Sequence, residues 1–102
     1  MYILTEIVTM KSVSNITKEE FISIVEGLEK NFHSKQSGFI DTELLYDEQN
    51  NLWVMIQHWE SRDQLKAASQ KMFKDSAAET FVKSLHPGSV KMTIAPQIKT
   101  WR

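Results

Sequence analysis

Hydrophobic positions along the chain switch between two periods, and the switches mark out the elements. Residues 2–10, YILTEIVTM, concentrate β-branched and aromatic types and read as a first strand. Thr17 and Glu20 then have the spacing of a capping box, in which a hydroxyl and a carboxylate each satisfy an unpaired helix-end amide. Phe21, Val25, Leu28 and Phe32 follow at helical spacing, Ile22 and Ile24 widen the stripe, and Gly38 is expected to close the element. FIDTELLY, residues 39–46, reads as a second strand and the polar DEQNN, residues 47–51, as a hairpin loop. Leu52 to Trp59, within NLWVMIQHWES, forms the third strand. Ser61 and Gln64 repeat the capping-box spacing and open a second helix. Asp75 or Ser76 caps a further helical piece with Phe73, Ala77, Phe81 and Leu85 on one side, and Pro87-Gly88 stops it. SVKMTIAP, residues 89–96, is the last strand, with QIKTWR extending it beyond a break at Pro96.

The order is β-α-β-β-α-β, the ferredoxin-like split arrangement. It predicts an α+β fold over residues 1–102, one domain, with a four-stranded antiparallel sheet and both helices on one of its faces. The third strand conflicts with a sheet covered on one side only. Leu52, Val54 and Ile56 would lie on one face and Trp53, Met55 and Trp59 on the other, whereas an uncovered face ordinarily reads as polar. A second copy covering the free face, giving a homodimer of packed sheets, accounts for both apolar faces. The alternative is a sheet curling over its own C-terminal segment with Trp101.

Composition narrows the function classes more than it selects one. A hydrophobic fraction of 41% and a charged fraction of 25% are ordinary for a globular chain of 102 residues. A formal charge of -1 with no charge blocks gives no footprint for nucleic acid or an anionic membrane. Without cysteine there is no disulfide, thiolate nucleophile or cysteine-bound metal. MYILTEIVTM lacks the basic region and cleavage site of a signal peptide, and nothing approaches a membrane span, so a cytoplasmic protein is expected.

The three glycines, Gly27, Gly38 and Gly88, build no phosphate loop, dinucleotide fingerprint or nucleophile elbow. His33, His58 and His86 are too dispersed for a helical metal site, and no metal or cofactor is expected. Trp53 and Trp59 share one strand face with Gln57 between them. They read either as packing or as a hydrophobic slot for a planar ligand that the Gln57 amide orients. His58 points the other way and is the candidate general base, because imidazole titrates near neutrality; a hydrogen-bonded structural role is the plainer account. His33, near the end of the first helix, reads as a cation suited to a helix C-terminus, and His86 reads similarly. Glu6, Asp41 and Glu43 are strand carboxylates, exposed or paired with Lys91 on the ordinary reading, or buried acids with raised pKa on the other.

The layout in about 100 residues, GFIDTELLYDE after the first helix and VMIQHWESRDQLKA at the third strand's end resemble the antibiotic biosynthesis monooxygenase family of dimeric α+β barrels. The junction around Trp59, Ser61 and Leu65 is the most recognisable part. The resemblance implies a dimer with sheets face to face and a pocket between sheet and helices in each subunit. It implies cofactor-independent oxidation of a small aromatic or quinol, deprotonated and made to react directly with oxygen. A non-catalytic module binding a small apolar molecule is the second reading. The family's haem-degrading branch uses an asparagine, a tryptophan and a histidine whose places fall here on Ile7, Ala68 and Ala78, so haem degradation by that mechanism is not expected, and a haem-binding or haem-degrading protein is the third and least favoured reading.

Overall fold

The structure, a computed structural model, describes residues 2–102. The strands are β1 (Leu4–Met10), β2 (Phe39–Asp47), β3 (Leu52–Trp59) and β4 (Lys91–Pro96), and the helices are α1 (Lys18–Asn31), α2 (Arg62–Met72) and α3 (Ser76–Lys83). One antiparallel sheet carries them in the order β2-β3-β1-β4. This is the predicted ferredoxin-like α+β arrangement, with the second helical region divided into α2 and α3.

Local chemistry sets the helix starts. Thr17 Oγ1 accepts from the Glu20 amide at 3.1 Å while the Thr17 amide donates to Glu20 Oε1 at 2.8 Å, so the capping box is complete. At α2 only half of that motif forms: Ser61 Oγ accepts from the Gln64 amide, and the Gln64 side-chain amide donates to Ser37 Oγ instead. Asp75 caps α3 through the Ala77 amide at 2.8 Å.

Gly38 does not end α1. The helix stops at Asn31 and passes through Phe32 into a 3₁₀ turn, His33–Lys35. Gly38 lies at the entry to β2 with φ +85°, where a Cβ would fall 2.3 Å from the Gln64 side chain. Both the left-handed backbone and the close approach of α2 therefore require glycine there.

Parity decides the sheet's two faces. Leu4, Glu6, Met10, Trp53, Met55, Gln57 and Trp59 point to the helices and are all buried. Ile22, placed on the inward stripe of α1 by its spacing, is exposed, and Phe73 is 81% exposed rather than packed with Phe81. Trp101 is 78% exposed, so the chain's own tail does not bury it against the sheet. The tail beyond Pro96 adds one backbone bond, from the Gln97 amide to the Ile3 carbonyl, and no further strand.

Candidate active site

The inner core is divided. One cluster gathers Met10, Phe21, Trp53 and Phe81, with Trp53 held between Phe21 (centroids 4.7 Å) and Tyr46 (4.5 Å). The other consists of Leu4, Trp59, Leu65 and Ala68. Residues of both clusters line a cavity of about 510 Å³ between the sheet and helices α2 and α3. Its walls include Met10, Met55, Trp59, Leu65 and Phe81, and five polar side chains join them: Glu6, His33, Gln57, Ser69 and His86. The volume falls in the range of small-molecule sites, and the predominance of apolar walls is typical of them.

His33 reaches the cavity because α1 ends early and the 3₁₀ turn swings its ring inward. It stacks on Phe39 (5.7 Å, 20°) and meets Trp59 edge-on (6.2 Å). One turn back on α1, Glu29 places Oε2 2.5 Å from His33 Nδ1. A carboxylate can only accept, so Nδ1 carries a hydrogen, and in the neutral ring the lone pair is on Nε2. Glu29 Oε1 accepts a further hydrogen bond from the Thr42 hydroxyl. Thr42 in turn accepts from Gln57 Nε2 at 3.0 Å, and the same amide nitrogen lies 3.2 and 3.4 Å from the two ring nitrogens of His33. Three elements thus fix one imidazole: α1 orients it, β2 anchors its carboxylate and β3 braces the edge.

Glu6 reaches the cavity from β1. Burial pushes its carboxyl above the ordinary value of 4.5, while the His33 charge and the Trp59 indole N–H pull it down in part. That indole N–H is buried and has no partner in ordinary hydrogen-bond geometry. The inner end of the cavity therefore holds an oriented imidazole, a carboxyl that favours its proton and an unpaired donor.

The residues singled out on the third strand separate. Gln57 and Trp59 line the cavity. Trp53 shares their face but is buried in the larger cluster, so no slot forms between the two tryptophans. His58 lies on the opposite face, where Nδ1 is 2.6 Å from Asp41 Oδ1, and it does not reach the cavity. Asp41 pairs with that histidine and not with Lys91.

Glu6 and His33, which line the cavity, and Glu29, which holds His33, were legible only through signals that simpler accounts absorbed. Glu6 has the same strand parity as Leu4, Val8 and Met10. Glu29 and His33 stand four apart beside the buried stripe, the spacing of a facing helical pair. Among the described residues no cluster of His, Asp and Glu could hold a metal ion, and no helix is long and apolar enough to cross a membrane.

The sequence profile of the antibiotic biosynthesis monooxygenase family matches residues 4–84. Among solved structures, the chain is similar to SnoaB, a cofactor-independent oxygenase from Streptomyces nogalater. For one of its mutants the TM-score is 0.77 at 18% identity, covering 98% of this chain and 97% of that one. It is similar also to Rv0793 from Mycobacterium tuberculosis (TM-score 0.71, 10% identity, 96% and 97% covered). A conserved protein from Methanosarcina mazei gives a TM-score of 0.69 at 13% identity, with 93% and 92% covered. These likenesses establish a shared fold. No curated protein matches the chain significantly.

Proposed function

The chain belongs to the antibiotic biosynthesis monooxygenase family, and from that premise we propose that it is a cofactor-independent monooxygenase acting on a small aromatic or quinol-type substrate. His33, held by Glu29 and lining an apolar cavity, is the observation that carries this reading. The base role expected for His58 is assigned to His33, because a base must reach the proton it removes.

A hydroxyarene in the cavity presents its O–H to His33 Nε2. The proton moves to that nitrogen, and Glu29 stabilises the imidazolium from the other side, as a carboxylate does in hydrolytic triads. The low-dielectric walls leave the arenolate poorly solvated and a ready electron donor. The balance closes without a cofactor. The ring gives up its O–H and one C–H hydrogen and gains one oxygen atom as a carbonyl, while the second oxygen leaves with both hydrogens as water. All four electrons that reduce dioxygen come from the ring. Gln57 and Trp59 are the substrate-positioning groups on the sheet side.

The proposal includes a homodimer through the open face of the sheet. Ile3, Ile7 and Leu45 remain 37–41% exposed there, beside half-buried Val54 and Ile56. These apolar residues, with Thr5 and Thr9 among them, are what a second sheet would cover.

Oxygen uptake with a panel of hydroquinones and dihydroxynaphthalenes tests the function. Consumption of one dioxygen per hydroxyquinone formed, with no hydrogen peroxide released, supports it. Thermal stabilisation by these ligands without uptake would assign the chain to the non-catalytic binding modules instead.

A further inference from the structure

The Glu6 carboxyl has no part in the steps above, yet it occupies the same end of the cavity as His33. It sits on the inward face of β1, opposite Gln57 on β3 and Ile94 on β4, and is only 5% exposed. Among the described residues no hydrogen bond of ordinary geometry reaches it. The nearby indole N–H of Trp59 is likewise unpaired. Gln57, Thr42 and Glu29 satisfy one another and His33 Nδ1, so besides the base nitrogen of His33 the unmet hydrogen-bonding capacity of this end rests on Glu6 and Trp59. A buried carboxyl and indole N–H whose mutual contact falls outside ordinary hydrogen-bond geometry leave capacity that a ligand can satisfy.

We propose that Glu6 is the specificity-determining anchor of the cavity: its carboxyl binds a second oxygen of the aromatic whose first hydroxyl meets His33. The assignment rests on reading the cavity as the site of an oxygenated aromatic. Burial favours the proton on Glu6, and a protonated carboxyl can donate to a hydroxyl or carbonyl oxygen. Its other oxygen stays open to the indole N–H. The site then selects hydroquinones and hydroxy-ketones over aromatics with a single hydroxyl. An apolar wall in place of Glu6 would accept both classes equally, since a missing partner is penalised only where a buried polar group waits for it.

Anaerobic titrations separate this role from turnover. Naphthol and naphthohydroquinone would be bound to the wild type, Glu6→Leu and Glu6→Gln, with tryptophan fluorescence as the readout. The wild type should prefer the hydroquinone by about tenfold, the worth of one hydrogen bond. Glu6→Leu should abolish the preference while changing naphthol affinity less than about threefold. Glu6→Gln, which keeps a donor and the size of the side chain, should retain part of it, and serves where the leucine variant does not fold. A wild type without preference, or a Glu6→Leu protein that keeps it, overturns the assignment. A wild type that binds neither ligand overturns it together with the proposed substrate class. Preference with loss in Glu6→Leu, but no oxygen uptake in air, leaves the anchor standing and overturns the monooxygenase.

Discussion

The molecule holds two histidine–carboxylate pairs of nearly equal length on opposite sides of one sheet. His33 and Glu29 meet at 2.5 Å inside, and His58 and Asp41 meet at 2.6 Å outside. What separates them is surroundings. The inner side chains are 7% and 23% exposed, and the outer ones 29% and 61%. In the single chain water and salt screen the outer pair, and such pairs contribute about 0–1 kcal/mol. His33 of the inner pair lines an apolar cavity, where a charge interaction gains strength and a proton acceptor can be put to use. Distance alone would have ranked them equal; burial and access to a cavity distinguish a candidate base from a surface contact.

The same contrast runs along β3, whose alternate residues serve different neighbours. Its inner residues fill the core, and removing Trp53 should have the largest effect. Trp53→Ala is expected to lower stability by about 3–5 kcal/mol in urea denaturation. Survival of normal stability would place Trp53 outside the core. On the outer face, Ile7→Lys should weaken self-association at least tenfold while the monomer keeps its far-UV spectrum, since a lysine there would have to be buried against the partner sheet. Sedimentation across micromolar concentrations reads this, and a wild type that is monomeric throughout would remove the dimer.

Glu6 gives a smaller effect with a definite sign. Its folded-state carboxyl is raised from the ordinary value of 4.5, so the folded protein holds the proton more tightly than the unfolded chain. Ionising it costs stability as pH rises from that ordinary value through the raised one. Glu6→Gln should therefore melt at a higher temperature than wild type at neutral pH, and the gain should vanish below pH 4.5. A gain independent of pH would assign it to packing. Asp41→Asn should have the least effect, within about 0.5 kcal/mol in the same denaturation assay, because it removes an exposed carboxylate from a half-buried histidine.

Much of the fold was legible from local chemistry. The capping residues Thr17, Ser61 and Asp75 opened the helices they announced, and parity separated Trp53, Met55 and Trp59 from Leu52, Val54 and Ile56. The site was legible in part. Gln57 and Trp59 line the cavity, but which face of β3 met the helices could not be read from a strand apolar on both. Gly38 suggested a helix running to residue 37, which hid the turn that carries His33 inward. Glu6 and Glu29 are polar residues among apolar ones, and hydrophobic periodicity passes over such positions. Only tertiary structure brings α1, β1 and the end of β3 to one point.

The central claim is that chemistry belongs to the inner histidine and not the outer one. Oxygen uptake with naphthohydroquinone, measured side by side on His33→Ala and His58→Ala, tests it most directly. The account predicts a rate lower by about 100- to 10 000-fold for His33→Ala, the usual worth of a positioned base, and a rate within about twofold of wild type for His58→Ala. An unchanged rate in His33→Ala, or a comparable loss in His58→Ala with the fold intact, would contradict it.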